Sequence, residues 1–533
     1  MDLSIVPTSI SIFVSRAQSR VITILTAYLL VTILITLFLL SAVWSDEYYS
    51  IQAVTPRQLN LLNRITWGAN ESLVKTFVAA GQERFLDQQL HPANSERLPP
   101  EAQVQIEALK ISHTPIEALV IEAEEQGKAV NAITDPDLKQ AAQKVYQEKL
   151  NELGREAATR SILRDLYSPA QLREQLTWFW MNHFNVHLYK ANLRVLIGDY
   201  EEKAIRPHVL SHFRDLLRAT LHHPAMLRYL DNDQNAVGHI NENYAREIME
   251  LHTLGVGSGY TQRDVQELAR ILTGVGIGRP GIKPKIKPDL QSQYVREGLF
   301  EFNPNRHDYG DKTFLGHLIK GHGLDEIDEA ITLLAQSPAT SRHISRELAM
   351  YFVSDNPDPQ LVESMAATFR QTDGDIAAVL KTMFQSPSFN VSLGTLFKDP
   401  IHYVLSATRM AYGDKVLLNS GPILNWLARL GEPLYARQTP DGYSIAGSAW
   451  NGVGQMVTRF EVARAIGSNS AGLFKSIGPP VMEQPAFPQF ANALYFYSIR
   501  QSLSPATQKA LNQAATPQEW NILFLSSPEF MRR

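Results

Sequence analysis

Asn241-Glu242-Asn243-Tyr244-Ala245-Arg246-Glu247-Ile248-Met249-Glu250-Leu251-His252 is the stretch whose reading decides the fold class. At about 100° per residue, Asn243, Arg246, Glu247 and Glu250 share one helical face, while Tyr244, Ile248 and Leu251 lie opposite. The pattern predicts an amphipathic helix to Leu254, stopped by Gly255. Just downstream, Thr261-Gln262-Arg263-Asp264 resembles a capping box, with Asp at its third position, and opens a second helix to Thr273.

Helix signals continue in both directions. Residues 57–90 read as one or two short helices, and Asp135-Pro136 opens a long one toward Leu166. Residues 169–190 and 206–230 read as amphipathic helices, with Pro207 at the start of the second. Ser-Pro pairs at 168, 337, 386, 504 and 527 suit helix starts: serine accepts a first-turn amide, and proline has its φ preset. Residues 274–313 are rich in Gly, Pro and Lys and predict a long loop, with room for a short hairpin near Leu299–Phe302 and Lys312–Leu315. Helices resume to about Leu430, and 431–455 is irregular, with Asp441-Gly442 as a turn signal. No sustained alternation argues for a large sheet. The expected fold is all-α, an irregular multi-helix domain with long loops, plus one N-terminal transmembrane helix.

That last helix is expected at Val21–Trp44, a run of 24 residues without charge. At about 1.5 Å per residue it is long enough for a bilayer core of about 30 Å. Arg16 and Arg20 precede it, and Asp46 and Glu47 follow. The positive flank places residues 1–20 in the cytoplasm and the main domain outside, in the periplasm or extracellular space. A signal peptide cut near Ser45 is the rival reading, although an apolar signal core is usually about 7–15 residues. Residues 45–56 then form a linker, and 57–533 an exported helical domain with a charged helical insert at about 92–160.

Composition narrows the function. A net charge of −4 gives no pull toward nucleic acid. The absence of cysteine excludes disulfides, thiolate catalysis, iron–sulfur clusters and cysteine zinc sites. Gly276-Ile277-Gly278-Arg279-Pro280-Gly281 spells the dinucleotide pattern, but it follows a predicted helix and is interrupted by Pro280. Lys283, Lys285 and Lys287 suit a solvated loop as well as a phosphate site.

Histidine placement is uneven, with eleven of fifteen between His183 and His322. His183/His187 and His208/His212 have the i,i+4 spacing that puts two imidazoles on one helical face, as a metal requires. His222-His223 before Pro224 suits a helix end. Glu247 and Glu250, three apart, could transfer protons or ligate a metal in a cleft. As a surface helix, the same residues would be a solvated acidic face with an Arg246–Glu250 pair. A regular helix separates His252 from Glu247 by about 140°, so a metal reading needs a histidine from elsewhere, His183 first.

These blocks together resemble the bacterial domain-of-unknown-function family numbered 1800. The resemblance is carried by Leu61–Gly68, Asn182-His183-Phe184, Pro224–Asp231, the helix from Asn241, His252–Gly255, Tyr260–Val265, His307–Thr313, Pro440–Tyr443, Trp450, Arg459 and Ser527–Phe530. It implies a largely helical, exported protein, and a partner from the exported family of unknown function numbered 1501. It carries no activity. Many members have a further histidine where this chain has Met181. That Asn243, Arg246, Glu247 and Glu250 form part of the resembling block raises their weight as site residues.

Two functions remain. One is a scaffold or assembly factor for an exported partner, favoured by the absence of a His-Glu-x-x-His, a Gly-x-Ser-x-Gly and a Walker A motif. The other is a metal-assisted or carboxylate-dependent hydrolase of the cell envelope. Its catalytic residues would be Glu247, Glu250, Arg246 and Asn243, with His183, His307 and Asp308 holding a divalent metal.

Overall fold

The computed structural model describes residues 54–93, 97–475 and 487–533. The proposed membrane helix lies outside the described residues, among which no helix is long and apolar enough to cross a membrane. Val54–Arg533 forms one compact unit that is mostly helical, with 62% helix and 5% strand.

The elements used below are named in chain order. α1 is Pro56–Ile65, α2 is Pro136–Tyr167 and α3 is Gln171–His183. α4 is Phe213–His222, α5 is Pro224–Tyr229, α6 is Asn243–Glu247 and α7 is Gln262–Ile271. α8 is Asp325–Gln336, α9 is Pro338–Phe352, α10 is Pro400–Tyr412 and α11 is Val453–Gly467.

The long helix forms where its cap predicts. The Asp135 side chain accepts from the backbone N–H groups of Asp137 and Leu138, and Pro136 follows as the first helical residue. The C-terminal half of α2 contributes to the core, with Leu150, Leu153, Ile162, Leu163 and Leu166 buried, so the charged insert is partly built into the domain. Three of the five Ser-Pro pairs start helices, those at Ser337, Ser386 and Ser504. Ser168 instead ends α2, and Ser527 makes only the local bond, accepting from the Phe530 N–H at 3.2 Å.

The expected helix over 206–230 is broken into a short 3₁₀ turn, α4 and α5. His212 and His223 stand at the two breaks in extended conformation. The 274–313 loop holds more strand than expected. β1 (Val275–Ile277) and β2 (Val295–Glu297) flank β3 (Phe300–Phe302), all antiparallel, with Val275 opposite Phe302. β4 (Lys312–Phe314) forms its own hairpin with β5 (His317–Ile319). The two segments expected to pair with each other therefore pair elsewhere. β1 overlaps the start of the Gly-x-Gly spelling, but no helix opens after it, so the dinucleotide context is still missing.

The front of the domain is locked onto its back. Trp67 donates from Nε1 to Asp165 Oδ1 at 2.9 Å, tying the end of α1 to α2. Gly68 has φ +119, and a Cβ there would lie 2.5 Å from Ser406 Cβ on α10. Both the backbone conformation and the close approach require glycine.

Candidate functional site

The predicted acidic face exists, but its residues are largely committed to local contacts. Asn243 donates from Nδ2 to Leu230 O at 3.2 Å, and its N–H donates to Asn241 Oδ1 at 3.0 Å. It is part of an asparagine lattice that pins the 230–243 loop. Asn235 Oδ1 accepts from the Asn241 N–H, and Asn232 donates to the carbonyls of Leu272 and Val275. Arg246 pairs with Glu242 at 3.2 Å and Glu250 at 3.4 Å, and donates to Gln262 Oε1 at 2.9 Å. Such partly exposed pairs contribute little, about 0–1 kcal/mol each.

Glu247 is the exception. Burial, then the charges of Glu250 and Asp441, push its carboxyl above the usual range, against the pull of Arg246. The neighbouring tyrosines respond to the same field. Burial and the Glu247 charge raise Tyr229 to about 12, while burial and a hydrogen bond to Glu250 raise Tyr260 to about 12. Tyr229 donates to Gln438 O at 2.8 Å. Asp441, Tyr229 and Tyr260 were not among the expected site residues. The sequence signals for Asp441 are its place in the Asp-Gly turn and in the Pro440–Tyr443 block of the family resemblance. That turn is seated by Asn182, which accepts from the Tyr443 N–H at 2.6 Å and donates to Tyr443 O at 2.9 Å. A side chain at Gly442 would lie 2.3 Å from Asn182 O.

The helix carrying this face does not stay regular. After α6 it widens into a π-helical turn over Ile248–His252. Its terminal carbonyls need partners, and histidines supply two of them. The His183 Nε2–H donates to His252 O at 3.2 Å, and the His343 Nε2–H donates to Leu251 O at 3.1 Å. Thr253 Oγ1 donates to Ile248 O, and the Gly255 N–H donates to Met249 O. His183 thus faces His252 and His343, with ring centroids 6.0 and 6.2 Å away, rather than the acidic face. Burial, then His252 and His343, hold His183 well below the usual imidazole range. Burial and His343 pull His252 down to about 3. His183 is therefore a neutral donor and His252 a neutral packing group.

His307 and Asp308 belong to another cluster. The His307 ring is buried between Thr273 O at 2.8 Å and Glu326 Oε1 at 3.0 Å. Glu326 also takes Lys312 Nζ at 2.5 Å and the N–H groups of His322 and Gly323 at 2.7 and 2.9 Å. Asp308 forms a two-point pair with Arg270, at 2.8 and 3.1 Å. The structure therefore does not bring His183, His307 and Asp308 into one donor set. The i,i+4 histidine pairs also lose their premise, because α3 ends at His183 and a helix break separates His208 from His212. Among the described residues, no group of three or more His, Cys, Asp or Glu side chains is placed to hold a metal ion.

No curated protein and no solved structure matches the chain. Residues 60–532 match the family described as "Protein of unknown function (DUF1800)", and the chain belongs to that family.

Proposed function

We propose that the protein is a docking or assembly component, held outside the cytoplasm by its apolar N-terminal segment. The observation carrying this reading is an apolar helix face that the described domain leaves uncovered. On α11, Val453, Val457 and Phe460 are 84%, 55% and 45% exposed. Their spacing confines them to an arc of about 60°. The other side of α11 is already used, with Val462, Ala463 and Ile466 buried in the core. A helix apolar on both faces has a second surface to bury, and contiguous exposed apolar surface marks interaction sites. The engagement of Asn243, Arg246, His183, His307 and Asp308 in folding contacts supports the same reading. The expected occupant is an exported partner of the family numbered 1501. Phe460→Asp should abolish co-purification of that partner from membranes while leaving folding unchanged. Retention of the partner would count against the reading.

One observation favours carboxylate-dependent hydrolysis as a second reading. Burial and the neighbouring Glu250 charge hold Glu247 toward its protonated form, an environment that suits a carboxyl to act as a general acid. Glu247→Gln would lower hydrolysis of an envelope polymer by about 100-fold or more if Glu247 is the acid. Unchanged hydrolysis would remove this reading.

A further inference from the structure

A second constellation lies away from the acidic face, where α1, α10 and the C-terminal segments meet. They enclose a cavity of about 290 Å³, lined by apolar groups such as Leu59, Met410, Leu503 and Phe530. That volume sits at the lower end of small-molecule sites, about 300–1,000 Å³. Two polar side chains at its wall belong together. Lys398 Nζ lies 2.9 Å from Ser406 Oγ, and each residue is only 3% exposed.

The amine meets the Ser406 hydroxyl and the face of the Phe530 ring, 4.0 Å from its centroid, rather than a carboxylate. Burial without a contacting carboxylate disfavours the ammonium, so the neutral amine is accessible near neutral pH. Burial, then the guanidiniums of Arg459 and Arg533, bring Lys398 down to about 7, against the opposing charge of Asp399. The backbone of Lys398 is pinned at both ends. Its N–H donates to Met531 O at 2.8 Å, and its carbonyl accepts from Arg459 Nη2 at 2.7 Å. Ser406 is held within α10, where its hydroxyl also reaches Tyr403 O at 3.2 Å.

The cavity offers further polar groups. Asn63 is oriented by the Ala69 N–H, which donates to its Oδ1 at 2.9 Å, and this leaves its amide nitrogen as a donor. Ser502 Oγ, on the same wall, is buried without a hydrogen-bond partner. A nucleophile, an adjacent base and side-chain donors around an apolar chamber are the parts of an acyl-transfer site.

We propose that Ser406 and Lys398 form a serine–lysine dyad that cleaves carboxylic esters with a short apolar acyl chain seated in this cavity. This site is independent of the docking face on α11. Neutral Lys398 takes the Ser406 hydroxyl proton as Oγ bonds to the ester carbonyl carbon. The carbon–oxygen bond to the alcohol then breaks, and the alcohol leaves with the proton from Lys398. Water attacks the acyl-serine and gives a proton to Lys398. The acid departs, and Ser406 recovers its hydrogen from Lys398.

The test uses the purified full chain, a fluorophosphonate probe and p-nitrophenyl butanoate. The expected result is one probe per chain, mapped by peptide mass spectrometry to Ser406, with labelling absent in Ser406→Ala. Lys398→Met should slow labelling by about 100-fold or more, the range of a lost general base. Excess p-nitrophenyl butanoate should protect Ser406 in the unaltered protein, a readout that holds even if a variant fails to fold. No label at Ser406, no protection by the ester, or unchanged labelling in folded Lys398→Met would overturn the proposal. None of these outcomes bears on partner binding through Phe460.

Discussion

Single residues in this domain are mostly explained by hydrogen-bond accounting. Glu326 is fully buried and serves His307, Lys312 and two backbone N–H groups. Removing it strands a buried ammonium, so Glu326→Ala should cost about 3–5 kcal/mol in urea unfolding. A cost near zero would mean that the cluster is hydrated. His252 gives a pH signature. Its folded-state pKa, about 3, lies below the unfolded value of about 6.5. Its contribution is therefore fully present above about 6.5 and is lost progressively as pH falls toward 3. Between pH 7 and pH 5, the unaltered protein should lose about 2 kcal/mol relative to His252→Gln. Comparison with the variant matters because burial raises Asp165 and Glu432, whose effects run the other way. The histidine band was legible in the sequence, but its role was not. Metal ligation and carbonyl capping use the same residue type. Only the positions of Leu251 O and His252 O reveal that His343 and His183 are donors.

At the scale of elements, local chemistry was readable wherever it was self-contained. The Thr261/Asp264 box forms as read, with Asp264 N–H donating to Thr261 Oγ1 at 3.2 Å and Thr261 N–H to Asp264 Oδ2 at 2.8 Å. Thr261→Ala should lower stability by about 1 kcal/mol, measured by urea denaturation. What could not be read depends on distant partners. The π turn after Glu247 is satisfied by side chains from 183 and 343, far along the chain. The three-stranded sheet joins Val275 to Phe302 across a Pro- and Lys-rich loop with no strand periodicity. The Lys398–Ser406 pair was missed for a related reason. It straddles the start of α10, where Asp399 is the N-cap, so helical spacing does not connect the two residues.

For the whole molecule, nearly the full chain is one family domain, and its front and back are mutually buried. Arg64 on α1 donates to the carbonyls of Phe352, Ser392 and Arg533, at 2.6, 2.6 and 2.7 Å. That interlock makes the Val54–Arg533 unit a rigid support for the exposed face of α11. The all-α class was legible because helical periodicity and caps recur along the chain, whereas docking needs knowledge of what remains uncovered. A photo-crosslinking residue placed at Val457 in the full chain, irradiated in intact membranes, addresses that directly. One reproducible adduct to a partner protein is expected, lost with Phe460→Asp while the unfolding free energy stays within about 0.5 kcal/mol. An absent adduct, or one unaffected by Phe460→Asp, would contradict it.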